Sequence, residues 1–136
     1  MMSVYMGKTM KATPALLLVV FFTATVTPLT SQAASVALSE AEKKIIQSGV
    51  NEKLRDPESS RFKELLASTK DKGDKPLLEV CGLVNSKNGF GGYTGFFPFY
   101  GMLASNNKGM QVFILMSSGK DNEATTLHMC QEAGIK

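Results

Sequence analysis

Soft metal ligands are scarce in this sequence: one histidine and two cysteines among 136 residues. Four nitrogen or sulfur ligands for a structural zinc cannot be assembled from that set. A calcium site built from loop carboxylates stays open, although no EF-hand spacing occurs. The two cysteines, Cys81 and Cys130, are far apart, so there is no Cys-x-x-Cys redox motif. Nucleotide motifs are missing too. Lys87 precedes a glycine-rich stretch instead of following it into a helix, which excludes a Walker-type phosphate loop. Thr94 stands where a Gly-x-Gly-x-x-Gly fingerprint begun at Gly89 and Gly91 needs its third glycine. Nucleophilic catalysis needs a nucleophile, a base and an orienting group. His128 is the single imidazole, and the carboxylates fall in no paired motif. The sequence therefore predicts no cofactor, no metal and no catalytic residues, with a small hydrolase based on His128 as a distant alternative.

A surplus of one charge is also lacking. The 15 Lys/Arg face 12 Asp/Glu. Lys8 and Lys11 lie in the N-terminal segment, so residues 34–136 carry 13 basic against 12 acidic side chains, a net of 13 − 12 = +1. Nothing in that balance argues for nucleic acid or an anionic membrane as a partner. Long apolar runs are missing as well. Ala15 to Val26 gives 12 mostly apolar residues, short of the ~20 that span a bilayer. Basic residues before that run and the small, polar segment Thr27 to Ala34 after it have the order of a secretory leader. Ser31-Gln32-Ala33 places the cut after Ala33, with Ala34 as the alternative. Residues 1–33 are thus expected to be a signal peptide, and 34–136 a single small domain, periplasmic or secreted, with no stable membrane anchor after cleavage. In such a compartment the two cysteines read as a Cys81–Cys130 disulfide.

What the chain does contain is a legible series of elements. Ser39 and Glu42 make a capping-box pattern, and Ile46, Val50 and Leu54 recur every four residues, predicting a helix from Ser39 to Arg55. Gly49 weakens that helix or lets it approach a sheet closely. Asp56-Pro57 ends the pattern and predicts a redirecting turn, with Asp56 as its cap and Pro57 first in the turn. Arg61 to Thr69 fits either a helical face or an edge strand, and Lys70 to Lys75 reads as a polar loop. Strands are expected at Leu77–Asn85, Gly92–Ala104 and Met110–Ser117. Pro98 points to an edge or bulged position for the second. The nearly continuous apolarity of the third points to a central strand. A final helix follows Asp121 or Asn122, with Ala124, Leu127, Met129 and Cys130 turned inward. The fold class predicted is α+β: a small antiparallel meander of three or four strands, packed with an N-terminal and a C-terminal helix and carrying one disulfide.

The densest feature runs from Val84 to Gly101, VNSKNGFGGYTGFFPFYG. It holds five of the twelve glycines and six of the eleven aromatic residues. Asn88-Gly89 is a strong hairpin signal, and Asn85 and Asn88 have side chains suited to closing a turn onto the backbone. Core packing explains one parity of the aromatics. The rest, beside polar residues, make a candidate binding edge of Asn85, Lys87, Asn88, Tyr93, Phe97 and Phe99.

Two segments together resemble a known pattern. Leu54-Arg-Asp-Pro-Glu-Ser-Ser-Arg-Phe62 is similar to Leu-Lys-Asp-Pro-x-Ser-Ala-x-Phe. Cys81 to Gly95 is similar to Cys-Gly-x-Val-Asn-Ala-Lys-Asn-x-x-Gly-Gly-Tyr-x-Gly, with Ser60 and Ser86 replacing small alanines. Both motifs occur in a group of small exported bacterial proteins. The resemblance implies a bacterial, exported domain and carries over no activity. The function expected is a non-catalytic, macromolecule-binding domain of inhibitor, immunity or envelope-accessory type, its partner another envelope or secreted protein. A small-ligand-binding protein is the alternative.

Overall fold

The computed structural model describes residues 34–69 and 77–136; the expected leader, 1–33, and the polar loop 70–75 lie outside them. Five antiparallel strands form one sheet in the order β1-β2-β3-β4-β5: β1 Ala34–Val36, β2 Arg61–Thr69, β3 Leu78–Asn85, β4 Phe97–Ser105 and β5 Gln111–Ser118. Helix α1 spans Glu40–Asn51 and helix α2 spans Glu123–Glu132. The α+β meander with two helices and one disulfide is present, with five strands where three or four were expected. The segment Arg61–Thr69 resolves as strand, and β1 adds a short edge beside it, pairing Val36 with Ala67.

Alternation along the strands sorts side chains onto two faces. Leu78, Val80 and Val84 of β3, Phe99 and Leu103 of β4 and Phe113 of β5 meet Ile46 and Val50 of α1 in the larger core. Three phenylalanines interlock there edge to face, Phe62–Phe99 at 6.1 Å and Phe99–Phe113 at 6.4 Å between ring centroids. Phe113 fits only because its neighbours lack side chains. A Cβ on Gly101 would lie 2.3 Å from its ring, and one on Gly49 of α1 would lie 2.8 Å from it. The glycine in the helix therefore serves close approach to the sheet. The expected capping box at α1 is formed: the Glu42 amide donates to Ser39 Oγ at 3.2 Å, and the Ser39 amide donates to Glu42 Oε2 at 2.8 Å. These bonds hold the Glu42 carboxyl below its ordinary pKa, helped by Gln111 of β5, which donates to Oε1.

The opposite face is smaller. Cys81, Tyr100, Cys130, Ala133 and Ile135 form its buried centre. The Cys81–Cys130 disulfide joins β3 to α2 across 49 residues. Closing a loop of that length contributes about 4 kcal/mol on the chain-entropy argument. Polar bonds complete the attachment. Ser68 donates to the Ala133 carbonyl at 2.7 Å, and Ser117 and Thr126 share a hydrogen bond of 2.7 Å. Tyr100 donates to Glu79 Oε1 at 2.8 Å; burial and that carboxylate push the phenol up to about 12.

Three expectations about placement are corrected. Helix α2 turns Thr126, Cys130 and Ala133 inward and leaves Ala124 and Leu127 exposed. The disulfide and the Thr126–Ser117 bond fix its rotation, so apolarity does not decide it. β5 is an edge strand, with Val112, Ile114 and Met116 exposed, because the chain turns into α2 and no sixth strand follows. β4 is interior despite Pro98, which is tolerated at the second residue of the strand, before pairing with β5 begins at Phe99.

Candidate functional site

The two sequence motifs meet at one end of the sheet. After α1, Pro57–Ser59 forms a single 3-10 turn with proline in its first position. The side chain of Asp56 makes no capping bond, contrary to expectation; its carbonyl does the work, accepting from the Ser59 amide and from Ser59 Oγ at 3.0 Å. Ser59 Oγ in turn accepts from the Lys87 amide at 2.9 Å. That bond ties the Asp-Pro turn to the base of the β3–β4 loop. Arg61 pairs with Asn85 in the ladder between β2 and β3. The first motif is thus a platform for the second.

The loop itself is tightly made. Asn88 Oδ1 accepts from the amides of Phe90 and Gly92, at 2.9 and 3.1 Å. The Asn88 carbonyl accepts from Gly91 at 3.0 Å, and the Asn88 amide donates to Gly92 at 2.8 Å. Gly91 adopts φ 79°, open to glycine at little cost. Phe90 sits on this turn with 98% of its surface exposed. Beyond the turn, Tyr93 bridges back to Lys87. The Arg61 guanidinium lies 4.3 Å from the Tyr93 ring centroid and Lys87 Nζ 5.6 Å from it; Lys63 Nζ lies 4.3 Å from the ring of Phe96. Each such contact contributes about 0.5–1 kcal/mol at an exposed site. Lys120 Nζ donates to the Thr94 carbonyl, fixing the far side of the loop.

A recess of about 380 Å³ opens between this loop and the segment that leaves α1. It is lined by Lys53, Leu54, Arg55, Ser86, Lys87, Asn88, Gly89, Phe90, Thr94 and Phe97. Arg55 reaches across the turn: a Cβ on Gly89 would be 2.9 Å from its Nη1.

The structure divides the candidate binding edge. Lys87, Asn88 and Tyr93 are brought together at the surface, with Tyr93 39% exposed. Phe99 is fully buried at the centre of the larger core, and Phe97 packs against that core with part of its ring lining the recess. Asn85 is buried, and its Oδ1 has no hydrogen-bond partner. Parity misled here because β4 begins at Phe97 and not at Gly92, which leaves Tyr93 in the loop and out of register with Phe97 and Phe99. Sequence reading missed Phe90, although three nearby glycines were a signal that it is a turn residue. It also missed Lys53, Arg55, Arg61 and Lys63, which carry no local signal because their partners are distant in sequence. His128 is exposed on α2. Among the described residues no group of three or more His, Cys, Asp or Glu converges to hold a metal ion, and no helix is long and apolar enough to cross a membrane.

A second depression, of about 150 Å³, lies over the disulfide between α2, β2 and β3. Leu66, Leu83, Pro98, Leu127 and Ile135 line it, with Glu64 among its polar residues. Glu64 occupies the bulge between Lys63 and Leu66 with φ 52°, a conformation that costs a residue with a Cβ about 1–2 kcal/mol. Comparison with protein-family models, curated proteins and solved structures finds no match.

Proposed function

We propose that this chain is an exported, non-catalytic domain, periplasmic or secreted, that binds another exported or envelope macromolecule through the β3–β4 loop. The observation that carries the reading is Phe90: an almost completely exposed aromatic on a turn closed by four hydrogen bonds, beside Tyr93 and a rim of cations. Holding such a side chain in water has no benefit for folding. On a rigid turn it gives contact area without ordering cost on binding, and aromatic and arginine side chains dominate interface energetics. The secretory order of the first 33 residues, the disulfide and the resemblance to small exported proteins support the location.

The test is capture from a periplasmic extract with residues 34–136 as bait. The wild type is expected to retain a partner, and Phe90→Ala and Tyr93→Ala to lose about tenfold or more of it. Equal recovery by both variants would remove the loop as the interface.

The depression over the disulfide favours a second reading, binding of a small apolar ligand between α2 and the sheet; a cavity near this size holds a benzene-sized molecule. A ligand-dependent rise in melting temperature that Leu127→Glu abolishes supports it, and a flat response across a library of compact apolar compounds counts against it.

A further inference from the structure

Resting on the proposed binding role of this loop, we infer that the recess beside it receives a carboxylate-bearing segment of a protein partner, with Phe90 as the apolar anchor at its rim. The lining contains three cations, Lys53, Arg55 and Lys87, and no acid. Among the described residues none of the three has an acidic partner: the one ion pair there is Lys43–Glu40, on α1. Asp56 follows Arg55 directly and still forms no pair with it. The floor is apolar, since Leu54 and Phe97 pack against the larger core, and a low-dielectric wall strengthens the field that cations project into a cleft.

The size and charge select the occupant. A recess of about 380 Å³ takes a short stretch of peptide, within the range of ordinary ligand clefts. Arg55 presents a planar fork that matches a carboxylate with two parallel bonds. A polyanion or an anionic bilayer fits poorly. Residues 34–136 carry a net charge of 13 − 12 = +1, whereas binding to a phosphate polymer depends on many neutralised phosphates. A separate groove along α1 presents Glu52 and Glu58 with Lys44, so the cations of the recess do not continue there as an extended basic surface.

The experiment titrates a fluorescein-labelled six-residue peptide of alternating glutamate and leucine into residues 34–136 at low and high salt. Binding is expected at low salt, weakened by salt and weakened about tenfold or more by the Lys53→Glu/Lys87→Glu double variant. Lys108→Glu, which reverses a charge at the other hairpin turn, is expected to bind as the wild type does. Thermal melts show that the variants fold, and Arg55→Gln, an uncharged replacement, is expected to weaken binding in the same direction. The inference is overturned if the wild type ignores the acidic peptide, if a lysine–leucine peptide binds equally, if Lys108→Glu is as harmful as the double variant, or if phosphatidylglycerol vesicles bind and the peptide does not. It is also overturned, with the proposed function left standing, if an extract partner is lost by Phe90→Ala but kept by the double variant. Peptide binding without any captured partner does the reverse: it supports the anion site and removes the broader role.

Discussion

Two hairpin turns of the sheet, between β3 and β4 and between β4 and β5, are built alike and used differently. Asn88 and Asn106 each accept two backbone amides on Oδ1, each is followed three residues later by a glycine, and Gly91 and Gly109 adopt φ 79° and 76°. Between β4 and β5 the turn links two neighbouring strands. Between β3 and β4 the same device carries Phe90 at its tip and is followed by a loop stacked under cations from β2, seated on the Asp-Pro turn and bonded by Lys120. The difference teaches that the turn is a generic closure. What distinguishes a recognition loop is the support gathered around it from other elements.

That comparison can be broken from several sides. The largest expected effect comes from the covalent brace under the first hairpin. Cys81→Ala with Cys130→Ala frees β3 from α2 and is expected to cost about 4 kcal/mol in urea unfolding. A loss of under about 1 kcal/mol would mean that the polar bonds of Ser68 and Thr126 hold α2 in place by themselves. Next come Asn88→Ala and Asn106→Ala. Each removes an acceptor for two amides, so each should lower stability by about 1–2 kcal/mol. Only Asn88→Ala should also reduce partner capture, and equal capture losses would erase the distinction between the turns. The smallest effect touches both hairpins, through the strand they share. Tyr100 of β4 has its pKa raised from 10 to about 12 by burial and by Glu79. A raised folded-state value favours the neutral phenol. Its contribution to stability is therefore fully present below pH 10 and is lost as pH rises through about 12. The unfolding midpoint of the wild type should fall more steeply over that window than that of Tyr100→Phe. Parallel slopes would show that the Tyr100–Glu79 bond is not the cause.

Much of the fold was legible because the signals are local. Ser39 and Glu42 close a helix end within four residues, and Pro57 opens a turn by its fixed φ. Asn88-Gly89 marked where the β3–β4 turn falls, although the positive φ sits at Gly91 and not in that dipeptide. The disulfide followed from the count of two cysteines. Less of the site was legible. Asn88, Lys87 and Tyr93 belong to the surface cluster as expected, but Phe99 belongs to the core, since alternation sorts a strand's side chains onto two faces without telling which face a helix covers. The apolarity of β5 could not tell a covered centre from an exposed edge: Val112, Phe113 and Ile114 look alike in sequence, yet only Phe113 is buried.

By itself, then, the sequence determined the start of α1, the cysteine pairing and the α+β class, each of which depends on residues within a few positions or on composition; the expected helix to Arg55 stops at Asn51, four residues early. Only the tertiary structure decided which strand lies at the edge, how α2 is rotated, and that Lys53 and Arg55 at the exit of one helix face Lys87 and Phe90 on a loop more than 30 residues later. The physical reason is that the recess belongs to no single segment. It exists because the sheet's order and the bond from Lys87 to Ser59 bring together pieces whose local sequences hold no record of one another.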